Sequence, residues 1–230
     1  MKNKLLTVFT ALIFTLSTTY LFAGSFNVGV IGSINSINAD GSEVEGGENH
    51  TATASHDNVF LGSVYGEYEY EGFAVGIEFM PGAADVSDKV KERTETPTSI
   101  TGTAATQTTE VTRKAQAEVE DYTVLYVEAP IYGNAFVKLG MAQVDVNTTE
   151  NLGSNSGSYG NVTLDGINYG VGVKGSMSWN DSVQYKLYFE KTRFDTLSLK
   201  SSGNSVAAEY NTITADLDVS SVKFGLGYRF

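Results

Sequence analysis

Apolar side chains recur at every second position in eight separate segments of this 230-residue chain, with polar or small side chains between them. Successive side chains of a β-strand point to opposite faces of a sheet, so each segment predicts a strand with one apolar face and one polar or small face. The sequence therefore predicts an all-β fold. The eight predicted strands are Ser25–Ile37, Val59–Tyr70, Phe73–Met80, Asp121–Ala129, Ala135–Val146, Ile167–Trp179, Val183–Phe194 and Leu217–Phe230.

The connections between these strands alternate in length. Roughly 20, 38, 19 and 21 residues follow the first, third, fifth and seventh strands, whereas the other connections are short. A soluble sandwich has no reason to segregate its loops in this way. The spacing predicts an up-and-down antiparallel barrel that crosses the outer membrane, with long extracellular loops and short periplasmic turns. The turns are expected at Glu71–Gly72, Pro130–Asn134 and Asn180–Asp181.

The first residues have the features of an export signal. Two lysines precede an uncharged and largely apolar run, Leu5–Tyr20, and the small residue Ala23 follows shortly after it. We interpret residues 1–23 as a signal peptide that is cleaved near Ala23, and residues 24–230 as one barrel domain. A membrane-anchoring helix is the alternative, but Thr and Ser interrupt the run and no stop-transfer cluster of charges follows it.

The chain is acidic and contains no cysteine. Its 27 Asp and Glu residues exceed its 15 Lys and Arg residues, for a net charge of −12, and loss of the two signal-peptide lysines would make the charge −14. Such a charge repels nucleic acid, and a protein without cysteine does not depend on disulfides after export. No segment after residue 23 is apolar for long enough to form a membrane helix. The chain is therefore either soluble after export or crosses a membrane as a barrel.

The last strand carries a family resemblance. Its final nine residues place apolar and aromatic side chains on one face, and glycines with two cations on the other. This pattern and the strand spacing resemble small outer-membrane barrels of the OmpA/OmpX type, in which the barrel-assembly machinery reads a C-terminal aromatic residue. The resemblance implies a monomer in outer-membrane lipid that is exported through the periplasm. No peptidoglycan-binding domain follows the barrel, so wall anchoring is not implied. The residues of this expected C-terminal assembly signature are Phe224, Leu226, Tyr228 and Phe230.

Two segments have an ambiguous alternation. In Asp121–Ala129 both faces carry apolar residues, and we place Glu128 toward the barrel interior because a carboxylate that faces lipid is costly. In Ala135–Val146 the period slips at Gln143, so that the valines after it continue the apolar face. This slip predicts a β-bulge.

Charged residues of both signs fall on the inward faces of several strands. A barrel of eight strands is just wide enough for its side chains to fill, and an unpaired buried charge costs several kcal/mol. The sequence therefore predicts a network of ion pairs that plugs the lumen, and it argues against a general porin, which needs about sixteen strands. Glu69 and Arg229 are expected near a hydrated rim. The predicted interior network consists of Glu67, Glu78, Glu128, Glu190, Lys138, Lys174, Lys186, Lys223 and Arg229.

Aromatic residues concentrate near the predicted short turns. Such a cluster is typical of the aromatic girdle at a membrane interface, here the periplasmic one. The expected members are Tyr68, Tyr70, Phe73, Tyr132, Phe136, Trp179, Tyr228 and Phe230.

Four polar segments are predicted to be the long extracellular loops: Asn38–Asn58, 83–120, Asn147–Asp165 and Thr196–Asp216. The centre of residues 83–120 is rich in threonine, which favours strands, so the arms of this segment are expected to extend the adjacent strands into a protruding β-ribbon. A disordered tip is the alternative, because low hydrophobicity does not offset the entropy of ordering. We regard this ribbon as the element with which a surface protein partner would pair.

These features favour a non-enzymatic outer-membrane protein that serves envelope integrity or, through adhesin-like loops, surface contact. A narrow channel or a small-molecule transporter is the alternative, but it needs an open lumen, which the interior charges oppose. An exported soluble barrel that binds a ligand inside would place its apolar faces inward.

A membrane-embedded hydrolase is a less favoured hypothesis for the function. His50 and His56 are the only candidate imidazole bases, and both lie in one predicted loop. The one constellation with the right residue types is His56–Asp57 together with Asp216 and Asp218. Two histidines without a third ligand and a rigid frame do not make a metal site. We therefore predict no catalytic, metal or cofactor-binding residues.

Overall fold

The computed structural model describes residues 24–45, 48–88, 91–95, 98–101, 104–107, 111–149, 158–202 and 212–230; the expected signal peptide lies outside these residues. None of the described residues belongs to a helix long and apolar enough to cross a membrane. The strands are β1 (Ser25–Glu45), β2 (Glu48–Tyr70), β3 (Phe73–Asp85), β4 (Lys91–Glu95), β5 (Thr98–Thr101), β6 (Ala104–Gln107), β7 (Val111–Ala115), β8 (Ala117–Tyr132), β9 (Ala135–Thr148), β10 (Val162–Met177), β11 (Asn180–Phe194), β12 (Leu197–Lys200) and β13 (Thr212–Arg229).

Eight of these strands close into a barrel. Their order around the wall is β1, β2, β3, β8, β9, β10, β11 and β13, and all neighbouring pairs are antiparallel. The ring closes because β13 pairs back to β1 along a ladder that runs from Asn27–Arg229 to Val44–Thr212. The predicted eight-stranded, up-and-down antiparallel barrel is confirmed.

Tight turns join the strands at one end, which we call the turn end. Glu71 and Gly72 connect β2 to β3, and both have positive φ angles, 50° and 83°. The two other tight turns are shorter or placed differently than predicted. Residues 130–132 still belong to β8, and the turn between β10 and β11 falls at residues 178–179 rather than at Asn180–Asp181. The reason is the register, which pairs Met177 with Asn180 and leaves only the two residues between them.

The strands continue far beyond their predicted limits at the opposite, extended end. The prediction of a loop at Asn38–Asn58 is wrong, because β1 and β2 stay paired as far as Glu45–Glu48. Parts of the loops predicted at Asn147–Asp165 and Thr196–Asp216 are also strands, since β10 begins at Val162 and β12 pairs with β13. Between β3 and β8, β4 pairs with β7 and β5 with β6, so the described parts of residues 83–120 form β-hairpin arms as predicted.

Exposed apolar side chains form a band around the outside of the turn-end half. On β1 the band runs from Phe26, which is 60% exposed, to Ile34, which is 44% exposed. The next outward position on β1 is polar, where Ser36 donates a hydrogen bond to Asp57 of β2. The prediction that the apolar faces point outward is therefore correct. Other members of the band are Val30, Phe60, Val64, Phe73, Val127, Leu139, Ile167, Val171, Leu187, Phe189, Val222 and Phe224.

The interior has two layers of different chemistry. The turn-end half is charged and contains most of the predicted interior network. The extended half is apolar and contains a cluster of buried side chains from several strands: Ile37, Ala84, Val86, Val124, Ala142, Val144, Val146, Leu164, Phe194 and Leu217. Tyr126 packs against this cluster from the charged half.

This second layer explains why the bulge predicted at Gln143 is wrong. The register of β9 shows no bulge at Gln143, and Val144 and Val146 keep the inward parity because the interior at their level is apolar. The bulge lies instead in the opposing strand β8, between Glu120 and Thr123. The prediction that Phe136 belongs to the aromatic girdle is wrong for a different reason, since its ring is fully buried in the charged half of the lumen beneath Lys174 and Lys186.

Candidate functional site: the filled lumen

Four buried charged residues form a closed ring in the middle of the lumen. We call this set the ion quartet: Glu78 on β3, Lys138 on β9, Glu190 on β11 and Lys223 on β13. Lys138 Nζ lies 3.1 Å from Glu78 and 2.7 Å from Glu190, and Lys223 Nζ lies 2.5 Å from Glu78 and 2.7 Å from Glu190. Each ammonium group thus contacts both carboxylates. The quartet is electrically neutral, which is the condition for keeping four charges out of water.

A second set of charges leads from the lumen to the turn-end mouth. We call it the rim chain: Glu67, Lys186, Glu128, Lys174, Glu69 and Arg229, in order of contact. Lys186 pairs with Glu67 and, at 2.8 Å, with Glu128. The remaining contacts are longer, at 3.1 Å for Lys174–Glu128, 3.5 Å for Lys174–Glu69 and 3.6 Å for Arg229–Glu69. Lengths and solvent exposure rise together toward the mouth, where the Arg229 side chain is 34% exposed.

The structure brings all nine predicted interior residues into these two sets. Seven are buried, and Lys174 and Arg229 lie nearer to the rim. Glu128 faces inward, as the cost of a lipid-facing carboxylate requires. Glu69, which was expected only as a rim residue, links Lys174 to Arg229 and belongs to the rim chain.

Neutral side chains complete the hydrogen bonding of the carboxylates. Ser63 donates to Glu78 at 2.8 Å, Tyr188 donates to Glu78 at 3.2 Å, and Tyr126 donates to Glu67 at 2.8 Å. Lys138 also lies over the ring of Tyr126, 4.4 Å from its centroid, which adds a cation–π attraction. These neutral residues are not among those predicted for the network. Their inward parity beside a predicted interior carboxylate was the signal that could have identified them.

A small residue makes room for one of these contacts. A Cβ atom on Gly76 of β3 would lie 2.6 Å from the Tyr126 ring and 2.7 Å from Glu67 Cβ. Heavier side chains at this position would push the tyrosine away from the carboxylate to which it donates. The absence of a side chain at Gly76 therefore allows Tyr126 to pack close to the wall and donate to Glu67 of the rim chain.

Above the quartet the lumen continues as an apolar space that we call the upper chamber. It encloses a cavity of about 40 Å³. Asn35 and Ser221 lie at its floor and are hydrogen bonded to each other at 2.6 Å, which separates the chamber from the charges below. One charged residue, Glu120, also lines the cavity, and its carboxylate accepts a hydrogen bond from Asn147 at 2.5 Å. The other walls are mostly apolar and include Ile37, Leu61, Met80, Ala84, Val119, Tyr122, Val144, Phe194, Leu217 and Val219.

The residues considered for hydrolysis have separate partners. His56 Nδ1 lies 2.8 Å from the backbone oxygen of Asp85, and Asp57 accepts a hydrogen bond from Ser36. Asp216 accepts from Thr196 at 2.7 Å, and Asp218 pairs with Lys191 at 2.9 Å. The structure therefore does not arrange these four residues as a nucleophile-activating set. Among the described residues, no three His, Asp or Glu side chains lie close enough together to hold a metal ion.

A closed ring of strands with an apolar exterior and a filled lumen defines a transmembrane β-barrel. Closure satisfies the backbone hydrogen bonds that lipid cannot, and the exposed apolar band is the surface that lipid requires. The chain is an eight-stranded β-barrel of the outer-membrane type. The turn end is then periplasmic and the extended end extracellular.

No protein-family model and no curated protein matches the sequence. Solved structures of similar architecture include the outer membrane protein OprG from Pseudomonas aeruginosa, with 12% identity over 90% of this chain and 96% of that chain and a TM-score of 0.47. Neisserial surface protein A has 12% identity over 91% and 100%, with a TM-score of 0.35. The outer membrane protease OmpT from Escherichia coli has 10% identity over 93% and 99%, with a TM-score of 0.44. At these sequence identities and TM-scores, the similarity does not indicate a function.

Proposed function

We propose that the protein is a non-enzymatic outer-membrane barrel with a plugged lumen, and that it acts in envelope integrity or adhesin-like surface contact through its extracellular end. The observation that carries the proposal is the ion quartet, which joins β3, β9, β11 and β13 across the middle of the barrel. Any ion that passed would have to separate paired, buried charges, which is costly. The alternative role, a narrow channel or transporter for small polar molecules, requires this network to open.

Single-channel recording in planar bilayers tests the plug. The purified full chain is expected to give no steady conductance, and a sixteen-stranded porin inserted in the same bilayers serves as the positive control. Insertion of the test protein is verified separately by its heat-dependent mobility on a denaturing gel. Steady large conductance from verified, inserted protein would contradict the proposal and favour the channel.

The surface-contact role is assigned to the ribbon at residues 83–120. Its described arms β4 and β7 are a two-stranded sheet outside the barrel ring, so their outer edges carry backbone groups that another chain can pair with. A variant in which a short turn replaces residues 91–115 should keep the barrel and lose adhesion of expressing cells to one another and to protein-coated surfaces. Unchanged adhesion at equal surface levels would mean that the ribbon only shields the barrel.

The last strand is proposed as the signal for assembly. Phe230 donates its backbone N–H to Phe26 at 2.8 Å, and its ring is 74% exposed and packs edge-on against Tyr228, with centroids 5.0 Å apart. An exposed ring at the periplasmic interface is accessible to an assembly factor. Deletion of Phe230 should lower the amount of protein in the outer membrane more than it lowers the stability of the refolded barrel. Normal surface levels of this variant would count against the proposal.

We also propose that residues 1–23 are removed on export. The N-terminal sequence of the exported protein tests this cleavage.

A further inference from the structure

The upper chamber contains a small cavity with mostly apolar walls. Its side walls are mostly apolar, and its cavity of about 40 Å³ exceeds the roughly 10–15 Å³ that one water needs by the same measure. Apolar cavities of this kind stay dry and accept apolar guests. The small volume fits a chain one carbon wide better than a ring system. We therefore expect the cavity to favour an unbranched alkyl group as its ligand.

The chamber is closed toward both ends of the barrel. Below it the ion quartet fills the lumen. Above it, Tyr159 reaches from the segment between β9 and β10 to β1 on the far side of the ring, where its hydroxyl donates to Glu43 at 2.7 Å. Tyr159 is 7% exposed, and Val86, which follows β3, is buried in the apolar cluster of the chamber. A guest that enters along the barrel axis would have to displace one of these closures.

The backbone ladder between β2 and β3 is interrupted at the level of the chamber. The ladder between these strands ends at the pair Val64–Phe79, although β2 continues upward beside β1 and β3 continues beside β8. The two segments meet again where His56 Nδ1 lies 2.8 Å from the backbone oxygen of Asp85, and where the N–H of Asp88, just beyond β3, donates to Ser55 O at 3.5 Å. We call the unpaired stretch, residues 57–63 of β2 and 80–84 of β3, the β2–β3 gap.

The β2–β3 gap has residues on both the chamber side and the lipid-facing side of the wall. Leu61 and Met80 line the cavity from its two sides. Pro81 has no N–H to offer to a ladder, and Gly82 has a φ of 106° with no atom within 4 Å of a Cβ placed on it. Phe60, which is 74% exposed, belongs to the apolar band and lies beside Leu61. The gap thus lies at the upper edge of the band, next to the hydrocarbon of the membrane.

We propose that the upper chamber is a binding site for an unbranched alkyl group, which enters sideways from the outer leaflet through the β2–β3 gap. The guest is either the tail of a free amphiphile or the acyl chain of a membrane lipid. The proposal concerns binding alone, since the ion quartet stays closed beneath the guest. It does not rest on the surface-contact role and stands or falls separately from it.

A tryptophan in the chamber reports on occupancy. The reporter is Phe194→Trp in a Trp179→Phe background, reconstituted in lipid nanodiscs and titrated with 1-bromodecane, whose bromine quenches a nearby indole. Quenching is expected to saturate, whereas a lipid-facing reporter, Leu139→Trp in the same background, should be quenched in proportion to the amount added. Filling the chamber with Ala84→Phe should raise the half-saturating concentration about tenfold or more. Ala52→Phe, which places the same ring on an exposed position of β2, should not.

The outcomes decide both the site and the source of the guest. If Phe194→Trp fails to fold, Val119→Trp on β8 reports from another wall of the same cavity. Nanodiscs made with a phospholipid brominated in its acyl chain, without bromodecane, identify a lipid tail as the guest if they quench the chamber reporter more than the lipid-facing one. Saturable quenching by bromodecane alone identifies a free amphiphile. Absence of saturable quenching with both probes, or saturation that Ala84→Phe leaves unchanged, overturns the site.

The route is tested with single cysteines, since the chain has none of its own. Gly62 and Gly66 both lie on the outward face of β2, but Gly62 borders the β2–β3 gap and Gly66 is paired with Ile77 below it. A bulky aliphatic maleimide on Gly62→Cys should slow the approach to saturation several-fold, and the same label on Gly66→Cys should not. Equal rates for the two labelled proteins would overturn entry through the gap.

Discussion

Replacing Lys223 by methionine tests whether paired charges hold the lumen together. Lys223 is fully buried, and its Nζ atom lies 2.5 Å from Glu78 and 2.7 Å from Glu190. Methionine keeps an apolar stem of similar length but removes the ammonium group, so that one lysine, Lys138, remains for two buried carboxylates. Loss of one partner from a buried ion pair costs about 3–5 kcal/mol. We expect the free energy of unfolding to fall by that amount.

A second substitution should recover much of this loss. In the double variant Lys223→Met/Glu190→Gln, Glu78 and Lys138 remain as a neutral pair at 3.1 Å. The coupling free energy between the two substitutions is expected at about 1–3 kcal/mol, the range for residues in one network. Lys191→Met is the matched control. Lys191 pairs with Asp218 at 2.9 Å on a partly exposed surface, and such pairs contribute about 0–1 kcal/mol.

Urea unfolding from lipid vesicles measures these differences. The fluorescence of Trp179, the only tryptophan of the chain, reports the transition, and the heat-dependent gel mobility confirms the folded barrel. If the free energy of unfolding of Lys223→Met stays within about 0.5 kcal/mol of that of the unmodified chain, the usual range for a surface substitution, paired charges do not hold the lumen together. The same conclusion follows if the double variant loses the sum of the two single losses, because the residues would then not interact.

Three further predictions concern the packing, the turns and the lipid face, and the same urea assay measures all of them. Gly76→Val should destabilise the barrel by about 1–3 kcal/mol, because its side chain overlaps the Tyr126 ring; a neutral result would mean that the wall can yield there. Gly72→Ala should cost about 1 kcal/mol, since the residue has a φ of 83°, and an unchanged midpoint would show that the turn relaxes. Phe224→Lys should cost about 2–4 kcal/mol at the bilayer midplane, whereas Ser36→Lys, above the apolar band, should cost about 0–1 kcal/mol; equal costs would mean that the band is not the lipid-facing surface.

The number of strands and their parity could be predicted from the sequence because lipid imposes a strict rule. Every outward side chain within the bilayer must be apolar or small, and this requirement leaves a period of two in each strand. The same rule placed Glu128 inside, although both faces of its strand carry apolar residues. The interior charges could be predicted as a set, since an eight-stranded barrel leaves no space for them to remain apart.

The lengths of the strands could not be predicted in this way. Beyond the bilayer the outward face is no longer required to be apolar, so the period disappears from the sequence at residues such as Ser36 and Asn38 although the hydrogen-bonded ladder continues. The error at Gln143 has a related cause. An apolar residue predicts an outward side chain only where the interior is polar, whereas the upper chamber is apolar inside and Val144 is buried there. The partners of individual charges depend on barrel register, which no local pattern of the sequence contains.

The short β2–β3 ladder has a mechanical consequence. A closed ring under tension separates where the fewest backbone hydrogen bonds resist, and the β2–β3 ladder spans only Val64–Phe79 to Tyr70–Phe73, whereas the β1–β2 ladder runs the full length of both strands. Tearing along this seam would convert the ring into an open sheet with β2 and β3 as its two edges. Glu67 of β2 and Glu78 of β3 would then meet water first, so the two ion-paired sets would be lost at the moment the wall parts.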